Sequence, residues 1–379
     1  MFIINDDFFF NLFSHFVEGK NIGGTWAIFC RFCKSEARRR PRTAQRGEDE
    51  PASQTFHDGC GSDAGGPPDR RGSDRRRAAS LPEPGPGQIR IRLEGCGVCA
   101  SNLEPWAGPD WMTFPTEPGG LGHEGWGRID ALGTDVADLR EGQRVAFLGQ
   151  RGYATHEVVE AAMVVPLPDS IAGPFPGEPF ACAMNIFRRS GIGQGDRVAI
   201  IGIGFLGAVL TRLAANVGAE VIAISRRPSS LALARQMGAA RTVPMEDHHA
   251  IIGQVSDLTD GRFCDVVIEA VGKQWPLDLA GEIVAEGGRL VVAGYHQDGP
   301  RQVNMQNWNW RGINVVNAHE RRPEVYLQGL RDAIAAIEAG RLDPAPLLTH
   351  VFPLEALDQA LDATRDKPEG LVKAYVTCA

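Results

Sequence analysis

Arg197-Val-Ala-Ile-Ile-Gly202-Ile-Gly204-Phe205-Leu206-Gly207 is an apolar run that ends in a glycine loop and passes into the helical spacing of Ala208 to Gly218. A strand, a tight turn and a helix start in that order form a cradle for a dinucleotide. The first glycine permits the turn, the second lets a pyrophosphate approach the backbone, and the third lets the helix pack on the strand, so that the helix N-terminus faces the phosphates. Glycines at this spacing are a weak signal alone. Here a second apolar run, Glu220-Val-Ile-Ala-Ile-Ser225, follows at the interval of a βαβ unit. A glycine turn with no ligand is the competing reading.

The end of the second strand bears on which dinucleotide is held. A carboxylate about 20 residues on takes the ribose 2′-hydroxyl of NAD, whereas a basic residue there accommodates the 2′-phosphate of NADP. This chain has Ser225-Arg226-Arg227. A hydroxyl followed by two guanidiniums pairs with the extra phosphate, which a carboxylate would repel. The expectation is NADP, with NAD as the alternative if the arginines only form a solvated turn before Pro228.

Composition narrows the class. The 379 residues, 43% hydrophobic and 23% charged, suit two globular domains, and the net charge of -8 argues against nucleic acid or an anionic membrane as partner. Eight cysteines without a dense framework point to reduced thiols and a cytoplasmic location. No apolar run is long enough to span a membrane. The N-terminus, Met1-Phe-Ile-Ile-Asn5-Asp6-Asp7, places acids where a signal peptide needs bases.

Residues 34–80 contain no Leu, Ile, Val or Met, and Phe56 is their one large apolar side chain. Such a segment buries too little surface to offset its chain entropy, so residues 1–80 read as an atypical, largely disordered leader. Its arginine runs at Arg38 and Arg75 are interleaved with acids, and Cys30-Arg-Phe-Cys33 lacks a second ligand pair at zinc spacing, with only His57 and Cys60 nearby. At Leu81 the composition changes, and Ile89-Arg-Ile-Arg-Leu93 alternates with the period of a strand.

Gly95-Cys96-Gly-Val-Cys99-Ala-Ser101-Asn102 is followed by Gly122-His123-Glu124-Gly-Trp126-Gly127 and by Glu178-Pro-Phe-Ala181-Cys182. A thiolate and an imidazole offered from separate glycine-containing segments, with a carboxylate or water, are what an open catalytic zinc site needs. With these segments, the glycine loop, Cys264-Asp-Val-Val-Ile-Glu269-Ala-Val271-Gly272 and Gly287-Gly-Arg-Leu-Val-Val-Ala-Gly294, residues 81–379 resemble the zinc-containing medium-chain dehydrogenase/reductase family, the alcohol and polyol dehydrogenases.

The resemblance implies an α/β fold: a Rossmann doubly wound parallel sheet (184–318) and a β-rich GroES-like catalytic domain split in sequence (81–183 and 319–379). It implies that Cys99 and His123 are ligands of one catalytic zinc. The family's third ligand is a cysteine or a glutamate. The cysteine position falls on Ala181, leaving Glu124 and Glu178 as candidates and Cys182 as a competitor, while Cys96 reads as a buried small residue. No cysteine lies between Glu124 and Glu178, so no structural zinc is expected. Asn102 stands where the family commonly has an aspartate that partners the zinc-bound imidazole, and an amide would polarise it less. Phe205, Leu206 and Val271 fall with the glycines on cofactor-binding positions.

The implied chemistry is hydride transfer between a secondary alcohol or polyol and the nicotinamide, with its ketone as product. Ser101 matches the family's relay hydroxyl. Glu104 lies where many members place a relay histidine, and reads equally as an exposed loop charge. Trp106, Trp111 and Trp126 would wall the pocket or serve packing. His296, His319 and His350 read as surface or core histidines.

The family's last nucleotide-domain strand, here Gly312 to Asn317, often pairs across a dimer, so a homodimer or homotetramer is expected. Members begin with paired strands ahead of the Pro82-Glu-Pro-Gly-Pro-Gly87 turn, a pattern absent here. The leader is therefore expected to be a reading-frame or start-site artefact, or a replacement that leaves a sheet edge unpaired. A zinc-free quinone-reductase-like reductase and a non-catalytic nucleotide-binding protein are the rival readings.

Overall fold

The computed structural model describes residues 80–378 and the backbone of two short antiparallel strands, β1 (Pro68–Arg70) and β2 (Ser73–Asp74). The chain divides into units Met1–Gly59 and Cys60–Ala379, and all described residues belong to the second. The Cys30–Cys33 pair lies outside the described residues, as does most of the leader expected to be disordered; within that leader, β1 and β2 form a paired stretch.

From Gln88 the chain builds a β-rich sheet. The alternation at Ile89 to Leu93 becomes β3 (Gln88–Val98), in which Ile89, Ile91 and Leu93 face the core while Arg92 faces solvent. After a short helix α1 (Leu103–Trp106) come β4 (Gly125–Leu132), β5 (Arg144–Phe147), β6 (His156–Glu160) and β7 (Val164–Pro166). Helix α2 (Gly177–Ser190), closed by Gly191 in the left-handed region, leads into the second sheet.

That sheet alternates strand and helix: β8 (Arg197–Ile201), α3 (Phe205–Asn216), β9 (Glu220–Ser225), α4 (Pro228–Gln236), β10 (Arg241–Pro244), α5 (His248–Leu258), β11 (Cys264–Glu269), α6 (Gln274–Ile283), β12 (Val284–Val292), α7 (Met305–Trp310) and β13 (Asn314–Asn317). Its strands are near-continuous apolar runs because helices cover both faces. Ile200 and Val266 pack on one side, and Ala199, Ile201 and Val267 on the other. Pairing is parallel throughout, in the order β10-β9-β8-β11-β12-β13. This is the doubly wound Rossmann order, and its direction reverses between β8 and β11, where such sheets bind ligands beyond the strand ends.

Helix α8 (Pro323–Glu338) then packs on α2, and β14 (Leu348–Pro353), α9 (Leu357–Asp366) and β15 (Lys373–Thr377) return to the first sheet. There β15 pairs antiparallel with β3, completing the order β14-β15-β3-β4-β5-β7, with β6 on the other part of β3. The C-terminal strand thus lies beside the strand that carries the cysteine motif. No helix among the described residues is long and apolar enough to cross a membrane.

Candidate functional site

The antiparallel pairing of β3 and β4 brings the two metal-type motifs together. Cys96 stands opposite Gly125, and Gly97 N–H donates to the Glu124 carbonyl at 3.1 Å. Cys99, just past β3, and His123-Glu124, just before β4, therefore meet at one end of the sheet. The ligand atoms of Cys99, His123 and Glu124 lie within 4.8 Å of one another.

The donor set suits a cation. His123 Nδ1 lies 2.9 Å from the Leu121 carbonyl. A carbonyl only accepts, so Nδ1 carries the proton and Nε2 is left as the available ligand atom. Burial opposes a charged imidazole, yet the Cys99 sulfur and the Glu178 and Glu124 carboxylates outweigh it and hold His123 up at about 10. The pocket thus favours positive charge beside Nε2, where a metal would take the proton's place.

Glu124 is fully buried. Its Oε1 accepts from Lys373 Nζ at 2.5 Å, and its Oε2 has no hydrogen-bond partner among the described residues. Lys373 is itself 6% exposed and lies 5.2 Å from the Phe205 ring centroid. Burial works to lower its pKa, but Glu124 and Cys99 prevail and raise it. Sequence reasoning missed this lysine. Its signal was a single cation inside the otherwise uncharged run Leu371-Val-Lys373-Ala-Tyr-Val.

Glu178 sits in the first turn of α2, where the helix dipole favours a carboxylate. It stands outside the 4.8 Å set. Cys182 Sγ donates to Glu178 Oε1 at 3.2 Å and lies 3.1 Å from Tyr326 Oη. Burial pushes the Glu178 carboxyl up and the Cys182 thiol well up.

Asn102 does not touch the imidazole. Its Nδ2 donates at 2.8 Å to the Leu121 carbonyl, the same oxygen that holds His123, and its Oδ1 accepts from Tyr153 Oη at 2.8 Å. The amide supplies the donor for this contact; an aspartate carboxylate could not donate to that carbonyl. Ser101 lies half-buried in the turn Ala100–Asn102, and Glu104 half-buried at the start of α1. Of the three tryptophans, Trp106 and Trp126 are buried in packing, and Trp111 is 72% exposed.

The glycine loop has the expected division of labour. Gly202 adopts φ +96°, open space surrounds a Cβ built on Gly204, and one on Gly207 would collide with the Gly202 carbonyl. Phe205 is buried and Leu206 half-buried at the start of α3, while Val271 projects, 38% exposed, beside Gly202. At the end of β9, Ser225 is buried and Arg226 exposed. Arg227 is half-buried, and its Nη1 donates to the Leu371 carbonyl at 2.9 Å. His319 is exposed, and His350 Nδ1 lies 3.0 Å from Thr349 Oγ1.

The chain is similar to known proteins. An alcohol dehydrogenase GroES-like domain model matches residues 85–169, and a zinc-binding dehydrogenase model matches residues 206–335. The chain is 26% identical over 349 residues to sorbitol dehydrogenase of Gallus gallus, covering 82% of this chain and 94% of that protein. It is 24% identical over 330 residues to L-galactonate-5-dehydrogenase of Escherichia coli (strain K12), covering 78% and 94%. A Sinorhizobium meliloti 1021 structure described as a zinc-binding dehydrogenase bound to NADP superposes with TM-score 0.71 at 25% identity, covering 83% of this chain and 99% of that one.

Proposed function

Since the chain belongs to the zinc-containing medium-chain dehydrogenase/reductase family and is an oxidoreductase of polyol-dehydrogenase type, we propose that it oxidises a secondary alcohol or polyol with one catalytic zinc and NADP. The observation that carries this reading is the convergence of Cys99, His123 and Glu124. Glu178, outside that set, accepts a hydrogen bond from Cys182. Cys99, His123 and Glu124 would hold the zinc, which would supply Lewis acidity to a substrate hydroxyl, and the glycine loop would hold the dinucleotide, which would supply the hydride acceptor.

The chain's own residues do the rest. Lys373 fixes one oxygen of Glu124 and leaves the other for the metal. Leu121 fixes the His123 ring, and Asn102 fixes Leu121. Ser101, two residues past Cys99, accepts the substrate proton, and Glu104 passes it to water. The glycine loop and the N-terminus of α3 hold the pyrophosphate, with Val271 alongside. Ser225 and Arg226 receive the 2′-phosphate, and Arg227, tied to Leu371, sets the edge of that subsite.

In domain terms, 81–183 and 319–379 form the catalytic domain and 184–318 the nucleotide domain. Edge strand β13, with Val315 41% exposed, is the surface for a homodimer. Reduction of NADP and NAD by a panel of polyols and secondary alcohols tests the assignment. Turnover with several of them, faster with NADP, supports it, and no turnover with any overturns it.

A further inference from the structure

The carboxyl ends of β11 and β12 are tied together by a chain of polar side chains, anchored on one buried carboxylate, that metal binding and proton transfer do not use. Glu269, the last residue of β11, is fully buried. Its Oε1 accepts the backbone N–H groups of Val271 and Gly272, each at 2.8 Å. Its Oε2 lies 3.0 Å from His296 Nε2. On the opposite side of the ring, Arg301 Nε donates to His296 Nδ1 at 2.8 Å. The imidazole is therefore the neutral Nε2–H tautomer, donating to the carboxylate and accepting from the guanidinium. Arg301 closes the circuit by donating through Nη2 to the Gly272 carbonyl at 2.9 Å and to Asp298, which also pairs with Lys273 at 2.6 Å.

Two loops are locked by this chain, 270–273 after β11 and 293–301 after β12. Their backbones touch: a Cβ on Gly294 would collide with Gly272 N and come within 2.7 Å of Glu269 Oε2. Val271 and Tyr295 project from them, 38% and 67% exposed. The second loop also reaches the metal-site turn, where Gln297 Nε2 contacts the Ala100 carbonyl at 3.5 Å.

The sheet geometry says what these loops face. A dinucleotide crosses the strand ends at the switch between β8 and β11, with its pyrophosphate at the glycine loop. Its adenosine half runs toward β9 and Ser225, so its nicotinamide half runs over β11 and β12. We infer that Glu269, His296 and Arg301 form a positioning triad that holds the nicotinamide-facing loops in one arrangement and in register with the Ala100–Asn102 turn. This rests on the dinucleotide reading above.

The test separates the two halves of the cofactor. The full-length variants His296→Leu and His296→Gln are titrated with NADPH and, separately, with adenosine 2′,5′-bisphosphate, which carries the adenosine end alone. A glutamine side chain both donates and accepts, so it replaces the imidazole in the chain; leucine cannot. Expected is an approximately tenfold rise in the NADPH Kd for His296→Leu, with the bisphosphate Kd within about twofold of wild type and His296→Gln within about threefold for both ligands. Equal losses for both ligands, no loss for either, or a glutamine variant as impaired as leucine overturns the triad. A wild-type chain that binds neither NADPH nor NADH overturns the dinucleotide reading, and the triad with it. Wild-type binding of NADH alone moves the same comparison to NADH and ADP-ribose.

Discussion

Lys373 Nζ stands 2.5 Å from Glu124 Oε1, an ion pair between the C-terminal strand β15 and the residue just before β4, with both partners buried. Removing one partner strands a charge in low dielectric. Lys373→Met should cost about 3–5 kcal/mol in urea unfolding of the metal-stripped protein, and the double variant with Glu124→Gln should recover most of it. Equal losses in the single and double variants would show that the pair is not what stabilises this site.

Asn102 acts on His123 through the Leu121 carbonyl. Asn102→Ala leaves that oxygen with one partner fewer and frees the ring to rotate. Zinc affinity, measured by competition with a chromogenic chelator, should fall about tenfold to a hundredfold, the usual cost of losing an outer hydrogen bond. An unchanged affinity removes Asn102 from the site.

For the cofactor, Arg226 is the exposed guanidinium at the end of β9, and Ser225 the hydroxyl beside it. Losing a charge-assisted bond is worth about 1.5–3 kcal/mol. Arg226→Ala should therefore raise KM for NADP about tenfold or more while leaving NAD within about twofold. Ser225→Asp should repel the 2′-phosphate and reverse the preference. Identical kinetics with both cofactors in both variants would place the 2′-phosphate elsewhere.

Glu157 is 4% exposed, accepts the Gln150 and Arg151 N–H groups at 2.9 and 3.0 Å, and leaves Oε2 without a partner among the described residues. Burial pushes its carboxyl up to about 7 from 4.5. The folded state therefore binds this proton more tightly than the unfolded one. The contribution is most favourable below the unfolded value and is lost as pH rises through about 7. Glu157→Gln lacks that titration, so its stability relative to wild type should improve by about 2 kcal/mol between pH 5 and pH 8 in urea unfolding. A difference that does not change with pH contradicts the assignment.

Much of this fold was legible in the sequence because its signals are local. Gly202, Gly204 and Gly207 each answer to a backbone requirement within one turn, and the apolar runs of β8, β9 and β11 need no knowledge of their neighbours. Cys99 and His123 were legible as motifs. That Glu124, and not Glu178, stands with them depends on the β3–β4 register, which no local pattern encodes. Lys373 was invisible for the same reason: it reaches Glu124 across 249 positions of sequence, through the pairing of β15 with β3. His296 read as an ordinary core or surface histidine because its partners, Glu269 and Arg301, come from a strand end and a loop. The tryptophans were legible only as pocket wall or packing, since proximity to a motif does not place a ring in a cleft, and Trp106 and Trp126 are buried. Trp126 lies inside the sheet, 6.0 Å from Tyr375 between ring centroids.

We propose that Cys99, His123 and Glu124 hold a zinc ion required for NADP-linked oxidation of an alcohol. The most direct test is to follow NADPH formation and zinc content together on the same preparation of the full chain, before chelation, after chelation and after zinc is restored. Expected are about one zinc per chain, loss of metal and turnover in parallel, and recovery of both on adding zinc, with Cys99→Ser and His123→Ala failing to recover either. Undiminished turnover in protein stripped of zinc would contradict it.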